Sequence, residues 1–146
     1  MWSSFWLREI MIKPCMGFKA IAVNTKKIGE LMGKPILLLL NSWFDDGDTG
    51  PFYCPDCGII EGFLAYNPNI REQLEIISVD FKRPRPKIIE YLGEENQGSP
   101  VLILDDSNQI PDGAKKSLST GKTLIDDPML ICDYLGKRFK GVRPHP

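Results

Sequence analysis

Five consecutive apolar residues, Ile36 to Leu40, constrain this chain more than any other stretch. A strand with one solvated face alternates apolar and polar residues. An unbroken aliphatic run needs cover on both faces, as in a parallel pair inside a sheet flanked by helices. A bilayer-spanning helix needs roughly 20 apolar residues, so this run is no membrane anchor. It marks the central strand of an α/β domain.

The punctuation downstream agrees with that class. After a polar, Gly-rich loop from Asn41 to Tyr53, Ile59, Ile60, Phe63 and Leu64 recur at helical spacing, and Asn67-Pro68-Asn69 ends the helix. Leu74, Ile76, Val79 and Phe81 form a second strand. Pro86 then suits the first turn of a short helix, with Ile88, Ile89 and Leu92 inward and Gly93 at its end. Val101 to Leu104 and Thr123 to Ile125 are two further strands with no helix between them, hence antiparallel. Asp127 is an N-cap and Pro128 a first helical residue; Leu130, Ile131, Tyr134 and Leu135 make one apolar face, and Lys137, Arg138 and Lys140 favour the carboxyl end. The order βαβα-ββα predicts one mixed four-stranded sheet with helices on both faces.

Residues 34–146 form that domain, and residues 1–33 are set apart as an amino-terminal extension that is either flexible or upstream of a start at Met32. A length of 146 residues suits one core, and a net charge of -1 supplies no basic field for nucleic acid. The amino end has a charge pair inside its first apolar stretch and no signal-peptide core, and the four cysteines are too unevenly spaced for a disulfide framework. A cytoplasmic, reducing location is expected, with no membrane partner.

Two of those cysteines, Cys54 and Cys57, flank Pro55-Asp56 between strand and helix. At a helix amino end, unpaired N–H groups and the dipole favour a thiolate at the first thiol, and a second thiol one turn on can attack the resulting mixed disulfide. Cys54 is then the nucleophile and Cys57 the resolving thiol. Asp56 opposes the thiolate by like-charge repulsion while favouring the dipole. Two other readings stay open: half of a zinc site, for which only Cys15, Cys132 and His145 are at hand besides carboxylates, or cysteines buried as small hydrophobes. Arg83 and Arg85, held extended by Pro84 and Pro86, read either as guanidinium forks for a carboxylate or as a solvated basic turn. Asp45-Asp46-Gly47-Asp48 lacks the later bidentate Glu of a calcium loop and reads as a polar turn.

The strand, Tyr53-Cys54-Pro55-Asp56-Cys57, helix, strand, helix, Ser99-Pro100, hairpin and final helix resemble the thioredoxin-like superfamily, in the arrangement of glutaredoxins and glutathione S-transferase amino-terminal domains. Phe81-Lys82-Arg83-Pro84-Arg85, Leu92-Gly93-Glu94-Glu95-Asn96-Gln97 and Pro144-His145-Pro146 more narrowly resemble a bacterial family of unknown function, DUF3088. The wider resemblance implies a cis Ser99-Pro100 bond facing the cysteines, with the Ser99 backbone lining a groove beside Tyr53 for an extended substrate. A trans proline starting an edge strand is the alternative. It also matches Asp127 to the acid of the glutathione-anchoring turn, but Pro128 replaces the serine and removes the hydroxyl and N–H that would bind a carboxylate, so Asp127 reads as a cap and no cofactor is expected. The function implied is thiol-disulfide oxidoreduction on a disulfide-containing protein or small thiol; the rival is a non-catalytic module that binds a peptide or small thiol.

Overall fold

A computed structural model of the chain describes residues 33–105 and 110–146. The extension through residue 32, Cys15 included, lies outside the described residues. The fold is mixed α/β. Its strands are β1 (Ile36–Leu40), β2 (Phe44–Asp46), β3 (Thr49–Phe52), β4 (Glu75–Val79), β5 (Val101–Ile103), β6 (Lys115–Lys116) and β7 (Thr123–Ile125). The described helices are α1 (Pro55–Tyr66), α2 (Pro68–Arg71), α3 (Pro86–Leu92) and α4 (Pro128–Arg138).

The main sheet has the order β4-β1-β5-β7-β6. β4 runs parallel to β1, while β5 is antiparallel to β1 and β7 to β5. Successive strand residues point to opposite faces, and Leu37, Leu38, Leu39 and Leu40 are all buried, so both faces of the central strand are covered as the apolar run requires. Val101, Leu102 and Ile103 repeat the pattern on β5. α1 packs against α4, which also packs on β5 and β7. A two-pronged ion pair in this layer joins Arg138 of α4 to Asp105 after β5, through two nitrogens at 2.6 and 2.8 Å.

Four departures from expectation are local. The sheet has five strands instead of four, because Lys115 and Lys116 in the loop between β5 and β7 pair along β7. The stretch from Asn41 to Tyr53 holds a hairpin, β2 with β3, whose two-residue turn starts at Gly47 with φ +63. Asn67-Pro68-Asn69 does end α1 but also starts the short α2, since proline lacks only an N–H that a first turn leaves unpaired. Ile59 is 41% exposed, and the buried face of α1 is Cys57, Ile60, Phe63 and Leu64. Among the described residues no helix is long and apolar enough to cross a membrane.

Candidate functional site

The chain leaves the end of β1, passes through the hairpin and reaches Cys54, the N-cap of α1. Cys54 has extended backbone, and its Sγ accepts the Cys57 N–H at 3.2 Å, so a sulfur takes the place usually filled by a Ser or Asp oxygen. Pro55 follows as the first helical residue and Asp56 lies in the first turn. Cys54 is half-buried; Cys57 is buried at 6% exposure on the core side of the helix.

Register explains what meets Cys57. Leu38 pairs with Val101 across β1 and β5, and continuing that antiparallel register brings Ser99 level with Leu40. The Ser99 Oγ lies 3.7 Å from the Cys57 Sγ and donates to the Leu38 carbonyl at 3.3 Å. With its one proton so placed, Ser99 accepts from the Cys57 thiol; when Cys57 ionises, the hydroxyl can turn and donate to the sulfur instead. Burial first, then the hydrogen bond with Cys54, push the Cys57 thiol up to about 11, against smaller opposing effects of the Leu40 backbone and Ser99. Cys57 is therefore a neutral thiol at neutral pH. The Ser99-Pro100 bond is cis, as the resemblance implies, and Pro100 is buried. Gly50-Pro51 and Arg83-Pro84 are cis as well, which nothing in the sequence announced.

The other expected site residues divide. Tyr53 is 67% exposed beside Cys54, with its ring where a Cβ at position 58 would meet it at 3.4 Å. Arg83 is exposed and lines a polar cavity of about 220 Å³ together with Glu94, Glu95, Gln97, Gly98 and Asp126. Asp127 lies outside that lining and caps α4, its Oδ1 accepting the Leu130 N–H at 2.6 Å. Arg85 corrects the expectation of a fork presented to a carboxylate: it is 7% exposed and turned inward, donating to the main-chain carbonyls of Asp80, Phe81 and Gln97. Cys132 is buried in α4, where burial and then the Asp127 charge push its thiol up to about 11. Sequence reasoning passed over Trp43 and Phe52, exposed aromatics on the segment that leads to Cys54. The Gly-Asp turn at Gly47-Asp48 was the signal for the hairpin that ends at Phe52 and that Trp43 directly precedes.

One family model, described as a protein of unknown function (DUF3088), matches residues 34–143. The chain belongs to DUF3088. No curated protein and no solved structure matches it. That description of DUF3088 assigns no activity, so function rests on the chemistry of the site itself.

Proposed function

We propose that this DUF3088 member is a thioredoxin-like thiol-disulfide oxidoreductase with Cys54 as nucleophile and Cys57 as resolving thiol. The observation that carries the reading is the asymmetry of the pair: a half-buried sulfur at the N-cap of α1 that accepts the main-chain N–H of Cys57, whose own thiol is buried one turn away. The strand order β4-β1-β5-β7, with only β4 parallel to β1 and an X-Pro bond directly before β5, supports the fold assignment.

The cycle balances without a cofactor. The Cys54 thiolate attacks one sulfur of a substrate disulfide, forming a Cys54–substrate disulfide and expelling the other sulfur as a thiolate, which takes a proton from solvent. Cys57 then loses its proton to solvent and attacks the Cys54 sulfur. The Cys54–Cys57 disulfide forms, the second substrate thiolate leaves, and two electrons have passed to the substrate. A thiol reductant returns the pair to its starting state by the reverse exchange. Deprotonation of Cys57 is the demanding step, and the Ser99 hydroxyl is the group placed to stabilise the anion.

The substrate class is a disulfide on a protein segment or a small molecule, lodged beside Tyr53 and the Ser99 backbone. Titration against a dithiothreitol or glutathione redox buffer, read by alkylation and mass, is expected to show one reversible two-electron transition. Either Cys54→Ser or Cys57→Ser abolishes it, leaving at most a mixed disulfide on the remaining thiol. A pair that stays reduced across the accessible range identifies a binding module instead, and zinc co-purifying in stoichiometric amount identifies a metal site.

A further inference from the structure

Helix α1 is apolar on both sides. Its buried face is Cys57, Ile60, Phe63 and Leu64, and a helix at the surface of a domain ordinarily turns charged or polar residues to water on the other. At about 100° per residue, Pro55, Gly58, Ile59, Gly62, Ala65 and Tyr66 fall instead on one stripe about 120° wide, with Asp56 and Glu61 to either side of it. Every residue of the stripe is exposed, Ile59 at 41% and Tyr66 at 82%. The stripe continues past the dithiol. The Tyr53 ring reaches it at Gly58, and Phe44 pairs with Phe52 across the hairpin, so one step further in that antiparallel register sets Trp43 level with Tyr53. Trp43 is 68% exposed, while Phe44 stacks on Phe81 at 4.1 Å and fastens the hairpin to the end of β4.

A contiguous apolar surface of this kind marks an interaction face. With a rise of 1.5 Å per residue, Tyr66 lies about 18 Å along α1 from Cys54, further than a small disulfide reaches. Charge indicates what fits it. Between Lys34 and Arg71 the chain carries five carboxylates, Asp45, Asp46, Asp48, Asp56 and Glu61, and no Lys, Arg or His. Glu61 pairs with Arg71 at 2.7 Å. Among the described residues, none of the other four enters an ion pair, and all four are exposed. A second copy of the chain would bring its own carboxylates to the same face, and anionic glutathione would be repelled, whereas a cationic partner is complementary.

We propose that the face from Trp43 to Tyr66 docks a cationic, apolar polypeptide segment bearing the disulfide that Cys54 attacks. Apolar side chains of that segment lie along Trp43, Tyr53 and the α1 stripe, and its lysines or arginines meet Asp45, Asp46, Asp48 and Asp56. The inference rests on the redox reading of the pair and narrows its substrate to a basic protein segment.

The test gives the reduced full-length chain three disulfides: a linear peptide whose cysteines are flanked by lysine and leucine, its counterpart with glutamate for lysine, and 2-hydroxyethyl disulfide as a small neutral reference. Peptide rates are taken relative to the reference. The parent is expected to reduce the lysine peptide roughly tenfold faster than the glutamate peptide at low salt, with the margin narrowing as salt is added. The triple variant Asp45→Asn, Asp46→Asn, Asp48→Asn narrows it several-fold. Gly62→Glu separates the stripe from the charge: a Cβ at position 62 meets nothing within 4 Å, and Glu forms helix better than Gly. A carboxylate set in the stripe must lose its water for the peptide to dock, so the lysine-peptide rate falls several-fold in G62E. An unchanged or raised rate in G62E shows that charge alone acts and overturns the proposal, as do equal peptide rates in the parent or an unchanged margin in the triple variant. If the parent reduces none of the three, the redox reading fails by itself. Fluorescence anisotropy of the lysine peptide with serine for cysteine then decides: binding tighter than that of the glutamate counterpart and weakened in G62E supports the face, and absence of binding rejects it. Self-association in sedimentation that G62E abolishes identifies a second copy as the occupant and overturns the proposal.

Discussion

Cys54 and Cys57 are the same residue in the sequence, and the fold separates them into a sulfur that meets solvent and one that does not. That separation has a measurable pH signature. An unfolded thiol titrates near 9.0, and the buried Cys57 thiol at about 11. A group whose folded value lies above its unfolded value stabilises fully below the unfolded value and loses that contribution as pH rises through the folded one. The reduced protein is therefore expected to lose stability between about pH 9 and pH 11. Tyrosine and lysine ionise in the same range, so the readout is the difference in urea stability between the parent and Cys57→Ser, with the parent losing roughly 2 kcal/mol more across the window. Parallel curves for the two proteins would show that Cys57 titrates as an ordinary exposed thiol. At this scale the sequence was partly legible. The dithiol and Ser99-Pro100 stand out because their chemistry is local. Arg85 does not, because its inward turn depends on carbonyls of Asp80, Phe81 and Gln97, the last 12 residues away, and a Pro-flanked arginine looks the same whether it faces water or the core.

Elements that bury an apolar face, with or without a side-chain cap, were readable before the structure, and strands with no buried residue were not. α4 is the clear case of the first kind: Asp127, Pro128 and the basic last turn occupy the positions the sequence suggests. Its cap has a testable value. Asp127→Ala is expected to cost about 1 kcal/mol in chemical denaturation, while Asp127→Asn, which keeps an oxygen acceptor, retains most of the stability. Equal losses in the two variants would mean that the carboxylate charge, and not the bond to Leu130, matters. The hairpin of β2 and β3 belongs to the second kind. Asp45, Asp46 and every residue of β3 are exposed, so no buried alternation betrays the strands. β6 is two exposed lysines, a strand only because β7 offers a free edge. Both lie on elements that no core selects, and only turn chemistry at Gly47-Asp48 signalled either of them.

At the scale of the molecule, the apolar run at Ile36 to Leu40 organises the domain, with β4 parallel on one side, antiparallel β5 on the other and buried residues on both faces. The topology brings three distant segments to one end of the sheet's strands: the α1 amino end after β1, Ser99 before β5 and the Arg85 segment after β4. The shortest stretch that contains them all, Cys54 to Ser99, is 46 residues long, which is why the dithiol was visible and its surroundings were not. The same topology bears on where the folding unit starts. Every strand and helix of the described architecture lies between Ile36 and Arg138, and the tail beyond is tied back where the Val142 N–H donates to the Asn67 Oδ1 at 2.9 Å. The family match begins at residue 34 and ends at 143. A chain starting at Met32 is thus expected to fold with the cooperativity of the full chain, its urea midpoint and slope unchanged within error, because the slope follows the surface exposed on unfolding. It should also keep the redox transition of the Cys54–Cys57 pair. A lower slope or midpoint in the shortened chain would show that residues before Met32 pack on this core, and a changed redox equilibrium at equal stability would place them at the dithiol.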